Sequence, residues 1–323
     1  MIPLVSCTNN TSDDEKKTLT IYSGRSEKLV GPIIEQFSEA TGIDTRVKYG
    51  GTSELAATIL EEGDKSPADI FFAQDPAGLG ALEDKFTTLP DEVLVEVNDK
   101  FKSDDKKWVG TSGRARTVVY NTNMLTEQDL PDDMFGFTDP KWKGKIGWAP
   151  TNGSFQAMVT GMRKIWGDEK TKEWLNGINA NNPKSFPNNT STVAAVANGE
   201  VEVGFVNHYY LYRFLEEQGM DFSARNYHIE EGGPGALILV AGAGVLETSE
   251  NKEEAIEFLE FMLSPVSQQF FASQNYEYPV VEGVKINPML KPLADINSPK
   301  IEMSDMNDLQ GTVTILRGVE IIP

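Results

Sequence analysis

The chain has 323 residues, more than one hydrophobic core usually serves, so two lobes are expected. Hydrophobic residues at 39% can fill real cores, while a formal net charge of −20 excludes nucleic acid and anionic membrane, which need a basic footprint. A single cysteine, Cys7, and two histidines, His208 and His228, leave no disulfide or thiolate-rich site and few imidazoles, so any metal is held mainly by oxygen.

At the start, Leu4-Val5-Ser6-Cys7 resembles the bacterial lipobox, in which a signal segment ends before a cysteine that is then lipidated. Only six residues precede Cys7, too few for a basic n-region and an apolar h-region, so the start of the signal segment is expected to be missing. The alternative is a chance run of small residues before an ordinary thiol. Residues 8–17 read as a polar tether, giving residues 1–17 as lipobox remnant and tether. The expectation is a protein in the periplasm or on the outer face of the cytoplasmic membrane, lipid-anchored at Cys7. No run of roughly 18 apolar residues occurs elsewhere.

Thr18 to Gly24 alternates and stops at glycine, as a strand entering a loop. Leu29, Val30, Ile33, Ile34 and Phe37 recur at helical spacing and Gly42 closes the segment. Ile43 to Lys48 reads as strand, Glu54 to Glu62 as helix, and Ala68 to Ala73 as strand. This β-α-β-α-β order implies a parallel sheet whose ligands bind outside the carboxyl ends of its strands. A second cycle follows: strand at Ile146 to Trp148, helices at Phe155 to Trp166 and Thr190 to Ala197, strand at Val201 to Val206, and helix at Tyr209 to Gln218. Thr111 to Tyr120 and Ala236 to Val245 are strand-like and are where the chain is expected to cross between lobes. From Asn287 onward prolines and polar residues interrupt the pattern, which reads as a wrapping tail. The lobes are then residues 18–113 with 240–285 and residues 114–239 with 286–323, and a ligand belongs in the cleft between them.

The densest polar and aromatic cluster is Asn207-His208-Tyr209-Tyr210-Leu211-Tyr212-Arg213. In a strand Tyr209 and Tyr210 would face opposite ways; in the first turn of a helix two long phenols can converge on one point. A phenol titrates near pH 10, so it becomes a ligand at neutral pH only when a strongly polarising cation displaces its proton, and ferric iron fits best. For the pair alone the other reading stays open: one tyrosine in the core, the other a surface or sugar-stacking residue. Arg25, at the mouth of the first strand, and Arg114 and Arg116, in the crossover segment, read either as surface ion pairs or as holders of a bidentate oxyanion. Pro150 to Phe155 offers backbone N–H groups at a helix start, another anion site.

Seven stretches in order are similar to the periplasmic ferric-iron-binding proteins of the bacterial transferrin group, which have the type II periplasmic-binding-protein fold: Thr20-Ile-Tyr-Ser-Gly-Arg25, Ser66-Pro-Ala-Asp-Ile-Phe71, Ser112-Gly-Arg-Ala-Arg116, Lys141-Trp-Lys-Gly144, Pro150-Thr-Asn-Gly-Ser-Phe155, Asn207-His-Tyr-Tyr210 and Pro234-Gly-Ala-Leu237. The resemblance spans about Thr18 to Val284. It implies an α/β protein of two Rossmann-like lobes joined by crossover strands. It also implies Fe3+ bound by Tyr209 and Tyr210 with carbonate or phosphate as a synergistic anion. By the same resemblance the anion is clamped by Arg25 and Arg114, with Asn152, Gly153, Ser154, Asn189 and Asn207 as further contacts. The chain departs from the family where other branches place ligands, having Ser26, Gln74 and Phe155, so the first lobe offers no obvious strong ligand. Tyr22 matches a structural tyrosine of the family.

The function implied is that of a monomeric solute-binding protein delivering ferric iron to an ABC transporter permease, not an enzyme. No nucleophile–base pair or paired carboxylates stand out. The rival readings are capture of a free oxyanion or small organic solute by the arginines, and a metal-dependent hydrolase on a similar scaffold.

Overall fold

The computed structural model describes residues 17–323, so the lipobox, Cys7 and nearly all of the tether lie outside the described residues. Strand β1 (Thr18–Ser23) leads into helix α1 (Glu27–Thr41), which buries Leu29, Val30, Ile33, Ile34 and Phe37, the apolar stripe read from the spacing. Gly42 ends it with φ 76°, a left-handed conformation that glycine adopts without steric cost, and its N–H closes on Ser38 O. Strand β2 (Asp44–Tyr49), helix α2 (Thr52–Glu62), strand β3 (Ile70–Ala73), the short α3 (Pro76–Gly80) and the single turn α4 (Asp91–Leu94) complete the first pass. Asp69 pins this lobe together, accepting from Thr20 N, Ser249 Oγ and Asn251 Nδ2.

Strand β4 (Val109–Asn121) is buried along its whole length and crosses between lobes. The second lobe comprises β5 (Ile146–Trp148), α5 (Gly153–Trp166), α6 (Asp168–Ala180), β6 (Lys184–Ser185), α7 (Asn189–Ala197), β7 (Val203–Asn207), α8 (Tyr209–Gln218) and β8 (Ala224–Tyr227). Strand β9 (Ile238–Val245) returns, and α9 (Lys252–Leu263) and α10 (Pro265–Gln274) pack on the first lobe. Among the described residues the strand order is β2-β1-β3-β9-β4-β7-β5-β6, with β8 also paired to β4.

The register of β4 locates the crossing. Val109 to Ala115 pair with β9, ending at Ala115 opposite Ile238, and Arg116 to Tyr120 pair with β7, beginning at Arg116 opposite Asn207. Because side chains alternate along a strand, Ser112, Arg114 and Arg116 share one face of β4 right at this junction. The apolar core is likewise divided, one cluster holding Phe37, Phe71, Phe72 and Phe258, the other Trp142, Trp148, Trp174 and Phe205.

The tail differs from the sequence expectation. After Asn287 it does wrap, but it ends in helix α11 (Leu309–Gly318), which buries Thr312, Ile315 and Leu316. Asp308 caps that helix by accepting from Gly311 N and also pairs with Arg163 of α5 at 2.8 Å. Among the described residues no helix is long and apolar enough to cross a membrane.

Candidate functional site

The β7–α8 junction builds the site. Strand β7 ends at Asn207 against Arg116, and His208 makes the turn: its backbone N–H donates to Ala115 O at 3.0 Å. Its ring is fully used as well. Nδ1 accepts from Ala115 N at 3.1 Å, and Nε2 donates to Tyr276 O at 2.7 Å, which specifies the neutral tautomer. The ring also stacks on Tyr278, with centroids 4.9 Å apart. His208 is therefore a fastener of the junction with no lone pair left for a metal.

Burial, helped by the neighbouring His228, pushes the His208 pKa down to about 3, and burial pushes His228 down to about 4. Both imidazoles must charge on unfolding in acid, so the unfolded chain binds more protons below the ordinary value near 6.5. Their contribution to stability is complete above that pH and is lost as pH falls toward 4. One such histidine costs about 2 kcal/mol between pH 7 and pH 5. The expected result is that His208→Gln, which keeps an amide in place of the imidazole, shows a pH 7 to pH 5 loss smaller by about that amount in urea unfolding.

Helix α8 then starts at Tyr209. Leu211, Tyr212 and Leu215 bury its inner face, which leaves the first-turn phenols at the cleft. Tyr209 is fully buried and Tyr210 half-buried, and their rings stack with centroids 4.3 Å apart and planes 28° apart. Burial, the neighbouring Tyr209 phenol and a hydrogen bond to it hold the Tyr210 phenol well above its ordinary value, while Arg114 and Arg25 pull the other way. From the first lobe Gln74 Nε2 donates to Tyr209 Oη at 3.1 Å, so the cleft is closed over the pair.

Three buried arginines surround the phenols. Arg25 lies on the loop after β1, and both of its terminal nitrogens bond Glu277 at 2.9 Å, with Nη1 also donating to Ser112 Oγ at 3.2 Å. Burial opposes its charge, yet the Glu277 carboxylate outweighs that and leaves its pKa raised. Arg114 has one bond, Nη2 to Val240 O at 3.0 Å, and Arg116 has one, Nη1 to Asn207 Oδ1 at 2.9 Å. Burial lowers the pKa of both, that of Arg116 to about 9. Arg114 Nε and Nη1, Arg116 Nε and Nη2, Asn207 Nδ2 and Arg25 Nε are buried with no hydrogen-bond partner among the described residues. Buried N–H groups are normally satisfied, so donors gathered in this way fit acceptor oxygens.

The second-lobe wall is a chain of amides. Asn152 caps α5, accepting from Ser154 N at 3.1 Å and from Asn189 Nδ2 at 3.0 Å; Asn189 Oδ1 in turn accepts from Asn207 N at 3.1 Å. Gly153 begins α5 against Asp75 of the first lobe: a Cβ on Gly153 would come within 3.0 Å of Asp75 Oδ2. The structure thus gathers Asn152, Gly153, Ser154, Asn189 and Asn207 along one edge, with Ser154 N–H already engaged by the cap.

The remaining candidates lie apart. Ser26 is exposed, Phe155 packs edge-on against Trp148, and the Tyr22 hydroxyl donates to Glu62 at 3.0 Å. Sequence reasoning passed over Glu277 and Asp75, and noted Arg116 without placing it among the anion contacts. Only the placement of a glutamate between two tyrosines in Tyr276-Glu277-Tyr278 hinted that Glu277 is buried. Among the described residues no group of three or more His, Cys, Asp or Glu side chains gathers to hold a metal.

Residues 32–296 match the model of a family described as bacterial extracellular solute-binding protein. The chain is 32% identical over 303 residues to the "Major ferric iron-binding protein" of Neisseria meningitidis serogroup A, covering 92% of this chain and 91% of that one. It belongs to the periplasmic ferric-iron-binding protein family. A second relative, the "Fe(3+)-binding periplasmic protein" of Serratia marcescens, is 29% identical, with 90% of this chain and 86% of that one covered. Among solved structures, iron-bound HitA from Pseudomonas aeruginosa superposes with a TM-score of 0.90 at 34% identity, covering 94% of this chain and 99% of HitA. The type II periplasmic-binding-protein fold of the family is therefore this chain's fold.

Proposed function

We propose that this chain is the periplasmic solute-binding protein of an iron(III) transporter, holding Fe3+ through Tyr209 and Tyr210 and completing the site with an oxyanion. The single observation that carries the reading is the stacked pair of phenols at the start of α8, ringed by buried arginine N–H groups without partners. The names of the relatives and of the iron-bound structure support the metal.

Charge supports the anion. Arg25, Arg114 and Arg116 against Glu277 and Asp75 leave one positive charge, all of it buried. Ferric iron on two phenolates adds another, so the closed cleft needs a carbonate or phosphate to approach neutrality. Arg114 and Asn207 offer it free donors, Arg25 offers Nε, and Arg116 joins them; Asn152, Gly153, Ser154 and Asn189 shape the wall behind. Lobe closure on the loaded site, delivery to a permease by a monomer, and anchoring at Cys7 complete the proposal. The two lobes are residues 18–113 with 240–285 and residues 114–239 with 286–323.

Ferric salt added with bicarbonate should produce a visible tyrosinate-to-iron charge-transfer band, and replacing both Tyr209 and Tyr210 by phenylalanine should abolish it. A colourless wild-type protein that still binds phosphate would support instead a receptor for a free oxyanion, which the unpaired arginine donors also fit.

A further inference from the structure

Asp75 enters that function only through its charge. It caps α3, with Oδ1 accepting from Gly78 N at 3.2 Å. Asp75 is 2% exposed, and Oδ2 is the one buried carboxylate oxygen without a partner among the described residues. It abuts Gly153 at the first turn of α5, and Asn152, Asn189 and Asn207 link that turn by hydrogen bonds to Arg116. Burial raises the Asp75 pKa, while the Arg114 charge and the backbone N–H groups of Gly78 and Ala77 pull it down and favour the carboxylate.

The site therefore combines many unmatched donors with one unmatched acceptor, the latter beside the first turn of α5. An oxyanion with no proton satisfies the donors but turns a lone pair and a negative charge against Oδ2. An oxyanion with one O–H satisfies both sides. We infer that Asp75 selects a proton-bearing oxyanion, accepting its O–H, and rejects one of the same shape that has none. Hydrogenphosphate and hydrogencarbonate belong to the accepted class; sulfate, isosteric with phosphate, belongs to the rejected one. The inference rests on the anion half of the function proposed above and names the substrate class of that subsite.

The test uses the iron-free protein and calorimetric titration with inorganic phosphate and with sulfate at pH 7. Wild type should bind phosphate at least about 100-fold more tightly than sulfate, the scale expected when a buried acceptor is built for a ligand hydroxyl. Asp75→Asn keeps the oxygen that caps α3 and offers the anion an N–H, so the ratio should fall to within about threefold, chiefly through gained sulfate affinity. Equal binding of the two anions by wild type, no binding of either, or an unchanged ratio in a folded Asp75→Asn would each overturn the inference. The wild-type ratio alone decides if that variant does not fold. A phosphate preference in a protein that never colours with iron would defeat the ferric reading and leave this one standing. An iron band that forms equally with sulfate and phosphate would do the reverse.

Discussion

Glu277→Ala is expected to lower folding stability by about 3–5 kcal/mol, the range for removing one partner of a buried ion pair. Glu277 and Arg25 are both fully buried and share two bonds of 2.9 Å, so deletion strands a guanidinium whose only other bond among the described residues is the 3.2 Å contact to Ser112. The carboxylate is also held by a strained strap. Tyr276, just before it, sits at φ 56°, a left-handed conformation that side chains other than glycine rarely take. That residue is retained by its carbonyl bond from His208, by stacking on Tyr212 at 5.2 Å, and by the Glu277 N–H donated to Phe271 O. Urea unfolding with an unchanged m-value would measure the loss, and Glu277→Gln should fall between wild type and alanine because one acceptor oxygen survives. Replacing Arg25 and Glu277 together by methionines should recover much of the loss, since the cost lies in the uncompensated charge. A loss under about 1 kcal/mol for Glu277→Ala would mean that Arg25 finds another anion.

The elements legible in the sequence were those whose pattern is local. Helix α1 announced itself through an apolar stripe and Gly42, and α8 through the strand-to-helix change at Asn207-His208-Tyr209; both start or stop within two residues of expectation. Helix α11 was not legible because only Thr312, Ile315 and Leu316 face inward, and prolines and polar residues upstream mask so short a pattern. In the site, features that act through their own segment could be read: two adjacent phenols at a helix start, and a second helix start at Pro150 to Phe155. Asp75 and Glu277 could not. Glu277 meets Arg25 only across the fold, at a separation of 252 residues, with no more than its two flanking tyrosines to hint at burial, and the segment around Asp75 does not show that its second oxygen will be buried against the other lobe. Arg114 and Arg116 were visible in a strand-like crossover segment, but that the chain changes partners between Ala115 and Arg116 is a property of the register.

Iron uptake should expel one proton for each phenol that becomes a ligand, and the count separates two tyrosinates from one. Tyr210 is protonated at neutral pH, because burial and the bond to Tyr209 favour its neutral form beyond what Arg114 and Arg25 can offset. Any phenol that ligates ferric iron gives up its proton, so apparent affinity rises with pH by about tenfold per unit for each proton displaced, about 100-fold per unit for two. Acid weakens the site for the same reason, independently of whether the protein stays folded. Supplied as a ferric chelate, iron should release one proton fewer from Tyr210→Phe than from wild type, the chelator's own protons cancelling in the difference. Affinity should also drop by about 100-fold or more, since loss even of an outer partner to a metal ligand costs 10–100-fold. Tyr209→Phe should lose the same proton count and also free Gln74, whose amide donates to Tyr209 Oη at 3.1 Å and ties the first lobe to this phenol. Because phenylalanine cannot accept that bond, this variant alone should close less fully, visible as a larger radius in small-angle scattering of the anion-loaded protein. Equal proton release from wild type and either single variant would mean that the missing phenol never ligated iron.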